Sequence, residues 1–271
     1  MLIDPDPYRV RPGSSVDLAS LDPRDTGSFE GGKADGKSLR REMTARLSDL
    51  QEKFYADGRH RLLLVLQATD TGGKDGTIKK VFRGVNPAGV RIASFKQPTH
   101  QELARDYLWR IHSRVPRDGE ITIFNRSHYE DVLIVRVKDL VSEDVWSKRY
   151  AHINDFERML TDEGTSIVKV YLHISKEEQR ERLQARLDDP TKHWKFNTAD
   201  LAERKRWDDY RSAFEDMLER TSQDHAPWFV VPADRKWYRD LVVSSILIET
   251  LESLDLRYPP NEDDLSNIVI E

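Results

Sequence analysis

"LLLVLQATDTGGKDGTIKK", residues 62–80, combines a buried-strand pattern, a glycine-rich turn, a lysine and the start of a helix. Gly72, Gly73 and Gly76 allow the backbone to turn its N–H groups toward one point, and Lys74 adds a fixed positive charge. The N-terminus of the following helix favours an anion at the same place. This order of elements predicts a phosphate-binding loop at the edge of an α/β sheet.

The loop departs at two positions from the pattern G-x-x-x-x-G-K-[ST] of familiar phosphate-binding loops. Ala68 stands at the first glycine position, and Asp75 follows the lysine where a hydroxyl usually binds magnesium. Asp70 lies in the turn just after the strand, where a carboxylate can hold a metal ion directly or through water. Thr77, two residues after Asp75, is either a hydroxyl ligand or an ordinary helix residue. Taken alone, the stretch also fits a glycine-rich turn that binds nothing.

Composition excludes several classes of function. The chain has 271 residues, 43 Lys plus Arg, 48 Asp plus Glu and a net charge of -5, so a polyanion has to be met by a local basic patch. The absence of cysteine excludes disulfides, thiol nucleophiles and cysteine-ligated zinc. Neither a secretory leader nor an apolar run of the roughly 20 residues that a membrane span needs is seen. We expect a cytoplasmic protein that binds neither membranes nor nucleic acid.

Strand-like and helical patterns alternate along the chain. Strand-like runs follow the first one at residues 89–95, 120–124, 165–175 and 227–232, and helical patterns occupy residues 37–57, 99–115, 142–163, 176–187 and 241–254. This alternation predicts an α/β fold, a three-layer sandwich with a mostly parallel five-stranded sheet and helices on both faces. We expect one domain over residues 1–271, with an N-terminal arm at 1–36, a helical lid at about 180–206 and an acidic tail at 259–271.

A second polar motif, "ITIFNRSHYEDV", stands where the strand at 120–124 ends. Ligands of open α/β sheets bind at this edge. Asn125 can orient a ligand but cannot act as a base, and the fork of Arg126 suits phosphate oxygens. Glu130 is the nearest carboxylate that can serve metal or acceptor. His128 and Tyr129 are equally well explained as packing residues.

The predicted lid is a third candidate, with the sequence "RERLQARLDDPTKHWKFNTADLAERKR". Arg182 and Arg186 lie four residues apart on one helix face, and Lys192 and Lys195 follow in an aperiodic stretch. Taken alone, the segment is more typical of two solvated helices. Beside a phosphate loop it indicates a basic lid of the kind that closes over phosphates in kinases.

Together these stretches resemble the polyphosphate kinase type 2 family, whose P-loop kinase fold uses inorganic polyphosphate as phosphoryl donor to nucleotides. The resemblance runs over most of residues 37–240. It implies a Walker A pair at Asp70 and Lys74, a Walker B pair at Asn125 and Arg126, and a lid arginine at Arg186. The residues expected to act in catalysis are Asp70, Lys74, Asn125, Arg126 and Glu130, with Asp70 as metal ligand. Those expected to bind phosphate or polyphosphate are Gly72, Gly73, Lys74, Asp75, Gly76, Thr77, Arg182, Arg186, Lys192 and Lys195.

Asn125 and the following "HYED" look like the class III branch of that family, because many members carry aspartate at the Walker B position. The resemblance implies reversible transfer from polyphosphate to ADP, giving ATP, and to AMP, giving ADP. It also implies Mg²⁺, with Mn²⁺ as an alternative, guanine nucleotides as further substrates, and a homodimer or homotetramer. An ATP-dependent nucleotide kinase of similar fold and a non-catalytic nucleotide-binding module are the alternatives that the residues leave open.

Overall fold

The computed structural model describes residues 2–261 and 270. The expected acidic tail at 259–271 lies mostly outside the described residues. The strands are β1 (Arg61–Gln67), β2 (Val90–Ser94), β3 (Ile121–Asn125), β4 (Thr165–His173) and β5 (Trp228–Pro232). The α-helices within this part are α1 (Lys33–Asp57), α2 (Lys74–Val81), α3 (His100–Leu103), α4 (Trp109–His112), α5 (Ile134–Val137), α6 (Glu143–Asp162), α7 (Lys176–Leu187), α8 (Ala199–Lys205), α9 (Trp207–Thr221) and α10 (Lys236–Glu252).

The strands form one sheet in the order β2-β3-β1-β4-β5, and every neighbouring pair is parallel. β1 lies at the centre, and its residues 62–67 are all buried. A near-continuous apolar run is what a parallel strand covered on both faces requires. The expected five-stranded α/β fold is therefore confirmed, and the sheet is parallel throughout.

Helices cover both faces of this sheet. α1, α2 and α10 pack over one face, where leucines 62, 64 and 66 of β1 point. α6 and α9 cover the other face, with Leu63 and Val65 in the second core cluster. The alternation along β1 therefore divides a single strand between two cores. α1 begins four residues before the predicted start at 37, and α10 begins at Lys236 instead of residue 241.

The prediction of one helix over residues 99–115 is wrong, because the segment forms two short helices, α3 and α4. A capping box at Thr99 starts α3. The Asp106 side chain then accepts hydrogen bonds from the backbone N–H groups of Leu108 and Trp109, both at 3.0 Å. Such an aspartate turn gives the backbone a local alternative to continued helix.

The N-terminal arm lies against β5. Val10 N donates to Trp228 O at 2.9 Å, and Arg9 forms an isolated bridge with Phe229. The arm thus covers the edge of the sheet that would otherwise expose unpaired backbone groups. In the part of the chain that the structure describes, no helix has both the length and the apolar character needed to cross a membrane.

Candidate active site

The loop after β1 and the turn after β3 meet at the carboxyl edge of the sheet, because β1 and β3 are neighbours. Arg126 Nη2 donates to Asp70 Oδ1 at 2.8 Å. Asn125 Nδ2 donates to Asp75 Oδ1 at 2.7 Å. The structure therefore brings together two motifs whose contacting residues lie 56 and 50 positions apart in the sequence.

Two of the loop glycines, Gly72 and Gly73, are required by its geometry. Gly73 has a φ of +106°, which L side chains rarely adopt, and an added Cβ there would lie 2.4 Å from Arg239 Nη1. At Gly72 an added Cβ would lie 2.4 Å from the Cβ of Ala68. Thr71, with a φ of 61°, turns the chain in the left-handed region just before these glycines. The loop is thus a tight backbone cradle that side chains would fill.

Two buried arginines hold the loop from behind. Arg182 Nη1 donates to Thr71 O at 3.1 Å and to Gly72 O at 2.9 Å, and Arg239 Nη1 donates to Gly73 O at 3.4 Å. The side chain of Arg182 is only 8% exposed. Its guanidinium is therefore engaged by backbone carbonyls, and its expected contact with polyphosphate stays a prediction.

Lys74 begins α2 and its Nζ donates to Ala68 O at 3.0 Å. Burial lowers the pKa of Lys74, and the nearby charge of Arg126 lowers it further. Burial raises the pKa of Glu130, against the opposing charges of Arg126 and Lys74. Burial also opposes the charge on Arg126, but Glu130 and Asp70 outweigh it and raise the pKa of Arg126. The site thus holds a charged guanidinium beside a lysine and a glutamate whose pKa values are shifted by burial.

The loop offers oxygen atoms to a metal ion. The hydroxyls of Thr69 and Thr71 are buried and have no hydrogen-bond partner in the described structure, and both flank Asp70. One carboxylate with hydroxyls fits Mg²⁺, which usually keeps waters and takes its other ligands from phosphates. Among residues 2–261 and 270, no group of three or more His, Cys, Asp or Glu residues is arranged to hold a metal. Thr77 Oγ1 is engaged otherwise, because it donates to Gly73 O at 3.1 Å.

The expected lid consists of α7, a 3₁₀ helix at Pro190–Lys195 and α8. Arg186 Nη1 donates to Lys195 O at 2.9 Å and lies 3.7 Å from Asp200 Oδ2. Lys192 is exposed and pairs with Asp189 at 2.7 Å. Lys195 Nζ lies 4.8 Å from the ring centroid of Trp194, so within the described residues neither lid lysine forms an ion pair with the loop or the β3 turn.

Asp200 is one of several lid residues that line the cleft beside the loop. Burial raises the pKa of Asp200, and the charge of Asp70 raises it further, while Arg186 and Arg126 oppose the shift. Gln179 also reaches this region, because its Nε2 donates to Asp70 O at 3.0 Å. Lid and loop are thus electrostatically coupled across the cleft.

The lining of this cleft is partly aromatic and apolar. It includes Trp207, Tyr210 and Phe214 of α9 and Leu133 and Ile134 near α5, together with Asp70 and Arg126. The sequence alone did not reveal this lining, although the three aromatic residues recur at helical spacing directly after the lid. We call this space the aromatic cleft.

The other side of the loop carries basic side chains. Burial lowers the pKa of Lys236, and the charges of Arg182, Arg239 and Lys192 lower it further. Burial raises the pKa of nearby Asp240, whereas the positive charges of its partner Arg239 and of Arg40 and Lys80 act to lower that pKa. We call the solvent-facing cations on this side the basic flank: Arg40, Lys80, Lys192 and Lys236. Sequence reasoning missed Arg40, Lys80, Lys236 and Arg239, because the fold alone brings them to the loop.

Comparison with known proteins gives matches over nearly the whole chain. The family model described as Polyphosphate kinase 2 matches residues 31–259. A Meiothermus ruber protein named AMP/ADP-polyphosphate phosphotransferase is 59% identical over 264 residues, 97% of this chain and 99% of that protein. A Rhodopseudomonas palustris protein named ADP-polyphosphate phosphotransferase is 47% identical over 93% of this chain and 91% of its own length. The crystal structure of Polyphosphate Kinase 2 from Arthrobacter aurescens TC1 matches with a TM-score of 0.91 and 49% identity, covering 94% of this chain and 92% of that chain.

Proposed function

The chain belongs to the polyphosphate kinase 2 family and is a polyphosphate-dependent nucleotide phosphotransferase, and we propose that Asp70, Lys74 and Arg126 form its reaction centre. ADP would be converted to ATP and AMP to ADP, reversibly. The observation that carries this proposal is the 2.8 Å contact between Asp70 and Arg126 at the mouth of the phosphate loop. The similarity to a protein named for both AMP and ADP supports the choice of acceptors.

The reaction asks for positioning and charge neutralisation more than for covalent chemistry. An oxygen of the nucleotide phosphate forms a bond to the terminal phosphorus of polyphosphate. The bond from that phosphorus to the bridging oxygen breaks, and its electrons stay with the shortened chain. The loop amides and Lys74 would hold the transferring group, and Arg126 would neutralise its equatorial oxygens. No base is needed because the acceptor oxygen is already anionic, which suits an amide at Asn125.

Mg²⁺ would be held by Asp70 with help from the hydroxyls of Thr69 or Thr71, and Mn²⁺ would fit the same oxygen donors. When bound, the ion would neutralise charge on the phosphate oxygens. Arg126 would exchange part of its contact with Asp70 for contact with phosphate. Glu130, which lies near the charges of Arg126 and Lys74, would orient the acceptor nucleotide.

The two sides of the loop differ in charge, and we assign the substrates accordingly. Polyphosphate would run along the basic flank toward the lid residues Arg186, Lys192 and Lys195. The nucleotide would occupy the aromatic cleft, because its aromatic side chains suit a base and its four acids slightly outnumber the cations Arg126, Lys138 and Arg204. A base stacked on Trp207 or Tyr210 makes few demands on its identity, because every base has a π-face, so guanine nucleotides would also be accepted.

A steady-state assay with polyphosphate as the only phosphoryl donor tests the proposal. Purified protein with Mg²⁺ is supplied with ADP, AMP or GDP, and the nucleoside phosphates are separated by chromatography. Phosphorylation of ADP and of AMP is the expected result. Transfer from ATP but none from polyphosphate would instead make the chain an ATP-dependent nucleotide kinase. Nucleotide binding without turnover would make it a binding module.

Self-association is a further part of the proposal. Large apolar side chains are exposed around the β2 edge, with Ile92 at 53% and Leu103 at 67% exposure. A homodimer or homotetramer would cover such surface. Light scattering after size exclusion measures the mass directly, and a mass of one chain at assay concentration would contradict the assembly.

A further inference from the structure

Fully buried polar side chains lie behind the turn that carries Arg126. We call Lys169, Glu157, His128 and Tyr129, each 0% exposed, the buried network. Lys169 stands within β4, Glu157 on α6, and the other two directly after β3. Burying a lysine and a glutamate costs free energy unless both are paired and hydrogen-bonded. The fold places these groups behind the turn that carries Arg126, since His128 and Tyr129 follow it by two and three residues.

The hydrogen bonds of the buried network are complete around the lysine. Lys169 Nζ donates to Glu157 Oε2 at 2.5 Å, to Tyr129 Oη at 2.9 Å and to the backbone oxygen of Thr221 at 2.7 Å. These three bonds use all three protons of an ammonium group. Tyr129 Oη accepts from Lys169 and donates its own proton to Glu157 Oε1 at 2.7 Å. The arrangement therefore fits a charged lysine beside a charged carboxylate.

His128 completes the same cluster. Its Nε2 lies 3.2 Å from Glu157 Oε1 and donates to that carboxylate, while its Nδ1 has no hydrogen-bond partner within the described part of the chain. Burial acts to raise the pKa of Glu157, but Lys169 and the hydrogen bond from His128 outweigh burial and lower it. One carboxylate thus fixes two consecutive side chains of the turn.

The turn is also fixed on its other side. Ser127 Oγ accepts from Gln67 Nε2 at 3.2 Å and from the backbone N–H of Tyr129 at 3.2 Å. Between these contacts and β3 stands Arg126, with a φ of 63° that is uncommon for residues other than glycine. Such a conformation persists only where the surroundings over-determine it. The anchors on residues 127–129 supply those surroundings.

We propose that Glu157 and Lys169 are positioning residues for phosphoryl transfer, which act by fixing His128 and Tyr129 and thereby aim Arg126 at the phosphate loop. This inference rests on the proposed function, because the role of Arg126 in transfer belongs to it. Stability alone does not call for this arrangement, since apolar residues of similar volume commonly replace a buried ion pair without loss. The charges instead hold one turn in one conformation.

Glu157→Gln tests the inference, because the amide keeps the shape of the side chain and removes its charge. Tyr129→Phe is the milder variant, since it removes one hydroxyl from the buried network. We expect kcat to fall about tenfold to hundredfold in Glu157→Gln, as misplacement of a catalytic group by about 1 Å does, with the KM for polyphosphate nearly unchanged. Leu160→Ala, one turn further along α6 in the same core, is the matched control and should lose stability while keeping kcat.

Combining Glu157→Gln with a substitution of Arg126 distinguishes a positioning role of Glu157 from a general contribution to folding. In an Arg126→Lys background, Glu157→Gln should lower kcat by less than about threefold, because the group that it aims is already altered. Independent, multiplicative effects of the two substitutions would overturn the inference. If Glu157→Gln does not fold, Tyr129→Phe decides by the same criterion. Full activity of Arg126→Ala would instead refute the role of Arg126 in the proposed function.

Discussion

Arg239 lies directly beneath Gly73, so that its Nη1 is 2.4 Å from the place where a Cβ atom would stand. Gly73→Ala would therefore combine a left-handed backbone, which costs about 1–2 kcal/mol in an L residue, with a clash against a buried guanidinium. Gly84 is the matched control, because its φ is +89° and nothing lies within 4 Å of an added Cβ. We expect Gly84→Ala to lose only stability, and Gly73→Ala to lose stability and most of its kcat. Equal kcat values would show that the cradle tolerates a side chain.

Removal of a cation from the reaction centre should abolish most turnover with the fold intact. Lys74→Ala and Arg126→Ala are each expected to lower kcat about 10²- to 10³-fold, the loss typical of removing one group that stabilises developing charge. Lys148→Ala, which removes an exposed lysine of α6, is the control. Thermal unfolding measured beside the kinetics shows whether the fold is retained. A variant with near-normal kcat would remove that residue from the mechanism.

Asp131 gives the stability a pH dependence that can be measured. Burial raises the pKa of Asp131 from 3.8 to about 6, although Arg149 opposes the shift. The folded state therefore binds more protons than the unfolded state between these values, so the free energy of unfolding falls as pH rises from about 4 to 6. The free energy of unfolding of Asp131→Asn does not fall in this way. Relative to the wild type it should therefore rise by about 1–2 kcal/mol across that pH range, after allowance for partial exposure. A difference that does not change with pH would contradict the shift.

The aromatic cleft should determine nucleotide affinity. Trp207→Leu is expected to raise the KM for ADP and AMP about fivefold or more, since stacking of a base on an aromatic side chain contributes about 1–3 kcal/mol. The KM for polyphosphate should stay unchanged, because the donor is assigned to the other side of the loop. Tyr55→Leu removes an exposed aromatic residue of α1 and serves as the control. A change in the polyphosphate KM alone would reverse the two assignments.

The basic flank should determine donor affinity and its dependence on salt. Lys236→Ala is expected to raise the KM for long-chain polyphosphate and to leave that for ADP unchanged. Screening weakens contacts between exposed charges, so added salt should raise the polyphosphate KM less in Lys236→Ala than in the wild type. Adding KCl in steps to the steady-state assay measures how steeply the polyphosphate KM rises with salt in each protein. The same rise in both proteins would place the donor elsewhere.

Local patterns predict the centre of this fold well. β1 reads as a buried strand, the glycines and Lys74 follow at the spacing of a phosphate loop, and the helix at 176–187 has the bounds of α7. These features depend on neighbouring residues, so the sequence displays them directly. The break between α3 and α4 escapes the helical pattern, because one Asp106 side chain competes with the helix for backbone hydrogen bonds.

Contacts between distant residues explain what the sequence does not reveal. Lys169 stands in a strand pattern where nothing nearby in the chain pairs with it, and Glu157 reaches it only because α6 packs on β4. Arg239 looks like an ordinary helix residue until α10 brings it under the loop. Arg182 has the helix-face position expected of a lid cation, yet its donors reach inward to the loop carbonyls.

The most direct test of the reaction centre is a ³¹P NMR time course with Mg²⁺, AMP and long-chain polyphosphate as the only donor, recorded for the wild type and for Lys74→Ala. We predict that polyphosphate signal is lost as ADP and then ATP appear with the wild type, and that Lys74→Ala shows neither change on the same timescale. Nucleotide phosphorylation by Lys74→Ala at the wild-type rate, or none by the wild type, would contradict this prediction.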